Sequence, residues 1–104
     1  MFFLDVIKLC KSLTRNAVNE RIIKQLVASS VSIAANYQEA TCAMSKKDFV
    51  KCLKISRKEA KETTLWLSGL RESDPSCSEK ADRLCGEANE LAYILTSIII
   101  KNDK

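Results

Sequence analysis

The chain contains no histidine, a single proline and two glycines among its 104 residues. Each shortage excludes something. Without an imidazole, neither a Ser-His-Asp nor a Cys-His nucleophile system can be assembled. Zinc sites and Glu-x-x-His di-metal sites lose their usual nitrogen ligand for the same reason. Sheets joined by tight turns need glycine and proline, so their scarcity favours long helices with short links. A long apolar run is missing as well: the most apolar stretch, Leu91 to Ile100, is about half of the roughly 20 residues that a membrane-spanning helix requires. The opening Met-Phe-Phe-Leu-Asp-Val-Ile-Lys has no basic leader and carries Asp5, which argues against a secretion signal. The five cysteines, Cys10, Cys42, Cys52, Cys77 and Cys85, are odd in number and none pair as Cys-x-x-Cys. They are expected to be reduced thiols, serving as small apolar residues in a cytoplasmic protein.

What is present has a globular balance, with 46% hydrophobic and 29% charged residues. This length suits a single domain over residues 1–104, near the small end, where oligomerisation is a natural source of added stability. Four segments place apolar or small residues at alternating spacings of three and four, the mark of an amphipathic helix. The first runs from about Phe2 to Leu13, with Phe3, Val6, Cys10 and Leu13 on one face. The second runs from about Glu20 to Cys42, with Asn19 as its expected cap. Its stripe is Ile22, Leu26, Ser30, Ile33, Tyr37 and Ala40, widened by Ile23, Val27, Val31 and Ala34. The third is expected to start at Ser45, whose hydroxyl can accept from the Asp48 amide, and to end near Glu72. Its seam is Phe49, Leu53, Ser56, Ala60, Thr63, Leu67 and Leu70. The fourth follows Asp74-Pro75 and runs to about Ile100 through Cys77, Ala81, Leu84, Ala88, Leu91, Leu95 and Ile98. Gly86 inside it suggests a close contact. Short links make neighbours in sequence antiparallel in space, so the expected fold is all-α, an antiparallel up-down-up-down four-helix bundle.

Three features stand out against this frame. The first is charge. Residues 46–61 hold seven basic side chains against Asp48 and Glu59, a local balance of +5 in a chain of net +4. Lys47, Lys51, Lys54, Lys58 and Lys61 repeat at helical spacing, on a stripe opposite the apolar seam. Such a stripe is either the solvated back of a bundle helix or a contact surface for an acidic partner. Nucleic acid is the leading partner, because a row of lysines neutralises phosphates and releases counterions. No aromatic side chains interrupt the stripe for base stacking, so little sequence preference is expected.

The second feature is a set of polar residues beside the seams: Asn36, Glu39, Glu59 and Glu62, with Trp66 continuing the same edge. Lacking histidine and a matching motif on another helix, they read as a structural hydrogen-bond or salt-bridge network and not as a metal site. The third is an apolar excess at the end of the fourth helix, where Tyr93, Ile94 and Ile99 lie off the seam: either a final turn covered by the first helix or, the favoured reading, a subunit interface.

Three stretches then fall into a familiar order: Ser30-Val31-Ser32-Ile33-Ala34-Ala35-Asn36-Tyr37-Gln38-Glu39-Ala40, next Ser45-Lys46-Lys47-Asp48-Phe49, then Glu59-Ala60-Lys61-Glu62-Thr63-Thr64-Leu65-Trp66-Leu67. Together they resemble the S-x-S-I-x-A-N-x-x-E-A, S-K-K-[DE]-F and E-A-x-E-T-x-x-W-L runs of one family. Its members are four-helix-bundle proteins encoded in intervening sequences of bacterial large-subunit ribosomal RNA genes. The accessory variability determinant of diversity-generating retroelements is a relative. The resemblance implies an up-down-up-down bundle, a ring-shaped homopentamer, no enzyme activity and no cofactor. For the retroelement relatives it implies binding of nucleic acid and of a reverse transcriptase through a basic surface. Many relatives place glycine after A-N-x-x-E. Here Thr41-Cys42-Ala43-Met44 follows Glu39-Ala40, so the second helix is expected to run longer. Two functional readings result: a homo-oligomeric scaffold that binds RNA or DNA, and a protein-interaction module for an acidic protein partner.

Overall fold

Asn16 closes the first turn of the longest early helix: its side-chain oxygen accepts from the Asn19 amide at 2.8 Å. In the computed structural model, which describes residues 1–103, the cap of that helix therefore lies three residues before the expected one. Asn19 is equally suited to capping in chemistry, but it stands on the 19-23-26 buried row and turns its side chain inward. The element order is α1 (Phe2–Lys11), α2 (Ala17–Thr41), α3 (Lys46–Ser73), a 3-10 turn (Pro75–Cys77) and α4 (Ser78–Asn102). Pro75 opens the 3-10 turn, and α4 proper begins only at Ser78. At the start of α3, Ser45 Oγ accepts from the Asp48 amide at 3.1 Å, as its spacing predicts.

Each helix packs against its neighbours around the bundle, α1 on α2, α2 on α3, α3 on α4 and α4 on α1. The result is an antiparallel four-helix bundle of 45 × 19 × 19 Å, all-α as its periodicity requires. Helix α3 is the spine. Leu53, Ser56, Ala60, Thr63, Leu67 and Leu70 are all fully buried. One end of the core joins Val6, Leu9, Leu26, Leu67, Leu70 and Leu84, and the other joins Ala40, Val50, Leu53, Leu95 and Ile99.

Helix α4 departs from its expected seam in an instructive way. The buried row is Ala81, Leu84, Ala88, Ala92, Leu95 and Ile99, so its second half has moved one residue on from Leu91 and Ile98. A straight helix has 3.6 residues per turn and drifts by about 20° per heptad against a strict 3.5 repeat. By the third heptad the drift amounts to a change of residue. Helix α1 is far shorter than its partners, 10 residues against 25 for α2. It begins at the level of Ile33 and Leu91 and leaves the rest of the α2–α4 furrow uncovered. Tyr37, expected in a seam, lines that furrow and is exposed for lack of cover, and Val31, also expected in a seam, is exposed outside it.

The cysteines are free thiols. Burial pushes Cys10 up to about 11 and also raises Cys77 and Cys85, so these three are poor nucleophiles. Gly86 makes no close approach: a Cβ built there meets nothing within 4 Å. It therefore carries the entropic cost of a helical glycine without a packing gain. Gly86→Ala is expected to raise unfolding stability by about 1 kcal/mol in urea denaturation.

Candidate nucleic-acid interface

The rotation that buries the α3 seam turns Lys47, Lys51, Lys54, Lys58 and Lys61 to the outside, and all five are exposed. At 1.5 Å rise per residue the row is about 21 Å long. Lys47, Lys51, Lys54 and Lys58 line one side of a shallow groove of about 710 Å³, and Lys46 joins them. Lys61 lies further along the helix, beyond the groove. The floor is apolar, from Val50 and Ile55, and the far wall is the end of α4 at Asn102 and Asp103. Among the described residues, Asp103 is the only carboxylate lining the groove, and it sits 3.0 Å from Lys54 Nζ. Lys46 escaped the stripe pattern because it precedes it by one residue. Asp103 was invisible because it comes from another helix.

Among the described residues, the expected network of Asn36, Glu39, Glu59 and Glu62 makes no side-chain hydrogen bond or ion pair between helices. Asn36 Nδ2 donates to the Ser32 carbonyl and hydroxyl of its own helix, at 2.9 and 3.0 Å. Glu39 and Glu62 are exposed and Glu59 is half-buried. A hydrogen bond shared with Glu59 holds the Glu62 carboxyl above its ordinary value. The buried polar links between α2 and α3 run instead through small hydroxyls. Ser56 Oγ donates to the Ile33 carbonyl at 2.8 Å, and the Thr63 hydroxyl lies 2.8 Å from both Ser29 Oγ and the Glu59 carbonyl. Asn19, fully buried, donates to the Thr14 carbonyl at 2.8 Å and accepts from Ser73 Oγ at 2.6 Å. It thus ties the α1–α2 link to the end of α3. The pattern signal for these residues was present, because Ser56 and Thr63 stand in the apolar seam, where a short hydroxyl needs an internal partner.

Of the expected interface residues, Tyr93 and Ile94 are 76% and 52% exposed, whereas Ile99 is 4% exposed. Ile99 packs in the core with Leu95, Val50 and Leu53, a correction that follows from the drift of the α4 seam. A furrow of about 670 Å³ opens where α1 stops short, lined by Phe2, Tyr37, Leu91, Ile94 and Ile98 among others. Among the described residues, no three Cys, Asp or Glu side chains converge as a metal-ligand set. No helix among them is long and apolar enough to cross a membrane.

An elongated all-helical bundle with a cationic groove on its spine helix and an apolar furrow beside a short first helix defines the class. The chain belongs to the 23S rRNA-intervening sequence protein family, whose model matches residues 1–97. It is similar to a crystal structure of a protein of unknown function from the S23 ribosomal protein family, from Bacteroides thetaiotaomicron VPI-5482. The two share 35% identity over 94% of this chain and 91% of the other, with a TM-score of 0.81. A comparison with curated proteins returns no match.

The buried side-chain amide is the sharpest test of the observed polar links. Asn19→Ala strands the Ser73 hydroxyl and the Thr14 carbonyl and is expected to cost about 1–3 kcal/mol in chemical denaturation. Glu39→Ala, at an exposed site, is expected to change stability by less than about 0.5 kcal/mol.

Proposed function

We propose that this protein is a non-enzymatic scaffold, one unit over residues 1–104, that assembles with copies of itself and grips the phosphate backbone of nucleic acid through the lysine groove. The observation that carries the reading is the convergence of five ammonium groups, Lys46, Lys47, Lys51, Lys54 and Lys58, on one groove with a single carboxylate among the described residues. Ammonium groups in a row act as point charges for phosphate oxygens. The groove presents no aromatic ring and no arginine fork toward a base, so binding follows charge and shape, not sequence. Self-association is supported by the exposed Tyr93 and Ile94 and by the open α2–α4 furrow. Repetition of the groove around an oligomer multiplies a modest field into a strong one.

With about four phosphates engaged, log K for a mixed-sequence DNA duplex falls against log salt with a slope near −3.5. Lys51→Glu, Lys54→Glu and Lys58→Glu combined are expected to abolish binding at low salt while leaving the helical circular-dichroism signal unchanged. Binding that is insensitive to salt, or that survives the triple replacement, contradicts the reading. A second reading is favoured by one observation, the apolar floor of Val50 and Ile55 between the lysines. Phosphates have no use for it, but an acidic amphipathic helix of a partner protein does. Capture of one protein through the groove after nuclease treatment, with no duplex binding, selects that reading.

The assembly is tested separately. Tyr93→Glu with Ile94→Glu is expected to reduce the mass measured by light scattering to that of the 11.6 kDa chain, with the bundle still folded. An unchanged mass removes the α4 face from the interface.

A further inference from the structure

The groove contains its own anion. The Asp103 backbone amide donates to the Ile99 carbonyl at 2.8 Å, which fixes Asp103 at the end of α4. Its carboxylate then reaches across to Lys54 Nζ at 3.0 Å, within ion-pair distance. Lys54 stands in the middle of the row, with Lys51 before it and Lys58 after it, and all three line the same groove as Asp103. The unsatisfied carbonyls of the last turn of α4 add partial negative charge at the same point. A phosphate oxygen approaching Lys54 therefore meets a position already held by a carboxylate oxygen.

We propose that Asp103 is a built-in competitor for a phosphate subsite centred on Lys54, and that nucleic acid displaces it on binding. The inference rests on the nucleic-acid reading of the groove. Both partners of the ion pair are about half exposed, so its strength is that of a surface pair and displacement is cheap. Asp103 thereby lowers affinity without closing the site. It also sets an order along the ridge: Lys47, Lys51 and Lys58 engage phosphates directly, and Lys54 joins only after losing its carboxylate.

The test uses Asp103→Asn, Lys54→Ala and the double variant, each titrated with one mixed-sequence DNA duplex over a range of salt. Asp103→Asn is expected to bind about three- to fivefold more tightly at low salt, the scale of one exposed ion pair. Its slope of log K against log salt is expected to stay unchanged, because once Asp103 is displaced Lys54 meets a phosphate in both complexes. In the Lys54→Ala background, Asp103→Asn is expected to change neither quantity. Equal affinity for the wild type and Asp103→Asn, or a slope steeper by about one in Asp103→Asn, which marks Lys54 as held off the phosphate in the wild type, overturns this inference and leaves the nucleic-acid reading standing. Tightening of the same size with and without Lys54 also overturns it, since that marks a general charge effect. If neither chain binds the duplex, the nucleic-acid reading fails and the inference fails with it.

Discussion

The complete burial of one face of α3 fixes the rest of the molecule. Leu53, Ser56, Ala60, Thr63, Leu67 and Leu70 leave no exposed atoms to speak of, with α2 on one flank and α4 on the other. A helix clamped along six positions cannot rotate without exposing leucines and orphaning hydroxyls, each costing on the order of 1–3 kcal/mol. Its opposite face must then meet water. The lysine row is outside because the seam is inside, and its straightness is that of the helix. Core packing and surface charge are thus two consequences of one rotation.

Close approach of α2 and α3 depends on small residues. Ser29, Ser30, Ser56, Ala60 and Thr63 bring the two helices near enough for hydroxyls to bond across the interface. Such bonds set register as well as distance, because a hydroxyl reaches only one carbonyl. The other end is fixed by Asn19, which holds the α1–α2 link against Ser73. Between these ties the core is ordinary aliphatic packing. The exception is the furrow beyond α1, where the fourth wall of the bundle is missing. Met1, Tyr37 and Ile94 leave apolar surface exposed there.

The helices, their order and the α3 seam from Leu53 to Leu70 were legible in the sequence because a single strong period runs through it, whereas at its start Val50 is buried in place of the expected Phe49, which is half-buried. The cap at Ser45 was legible for a local reason, since hydroxyl and amide lie three residues apart. Two things were not. Asn16 and Asn19 offer the same capping chemistry, and only the tertiary burial of Asn19 separates them. The α4 seam reads as an exact 4-3 series, yet a helix that does not supercoil strictly slips off that series and carries Ile99 inward. The lysine side of the groove was readable along one helix. Its other wall, Asn102 and Asp103, belongs to a contact across 49 positions of sequence, from Lys54 to Asp103, that no local pattern encodes.

The account stands or falls on whether the outward lysines of α3 form one surface that nucleic acid covers. Acetylation footprinting with mass-spectrometric readout addresses this lysine by lysine. In the free protein, Lys47, Lys51 and Lys58 should modify as readily as Lys24 and Lys80, which lie elsewhere on the bundle. With duplex at low salt, the groove lysines should become protected while Lys24 and Lys80 continue to react. Protection spread evenly over all lysines, or an α3 row that resists modification before any duplex is added, would contradict it.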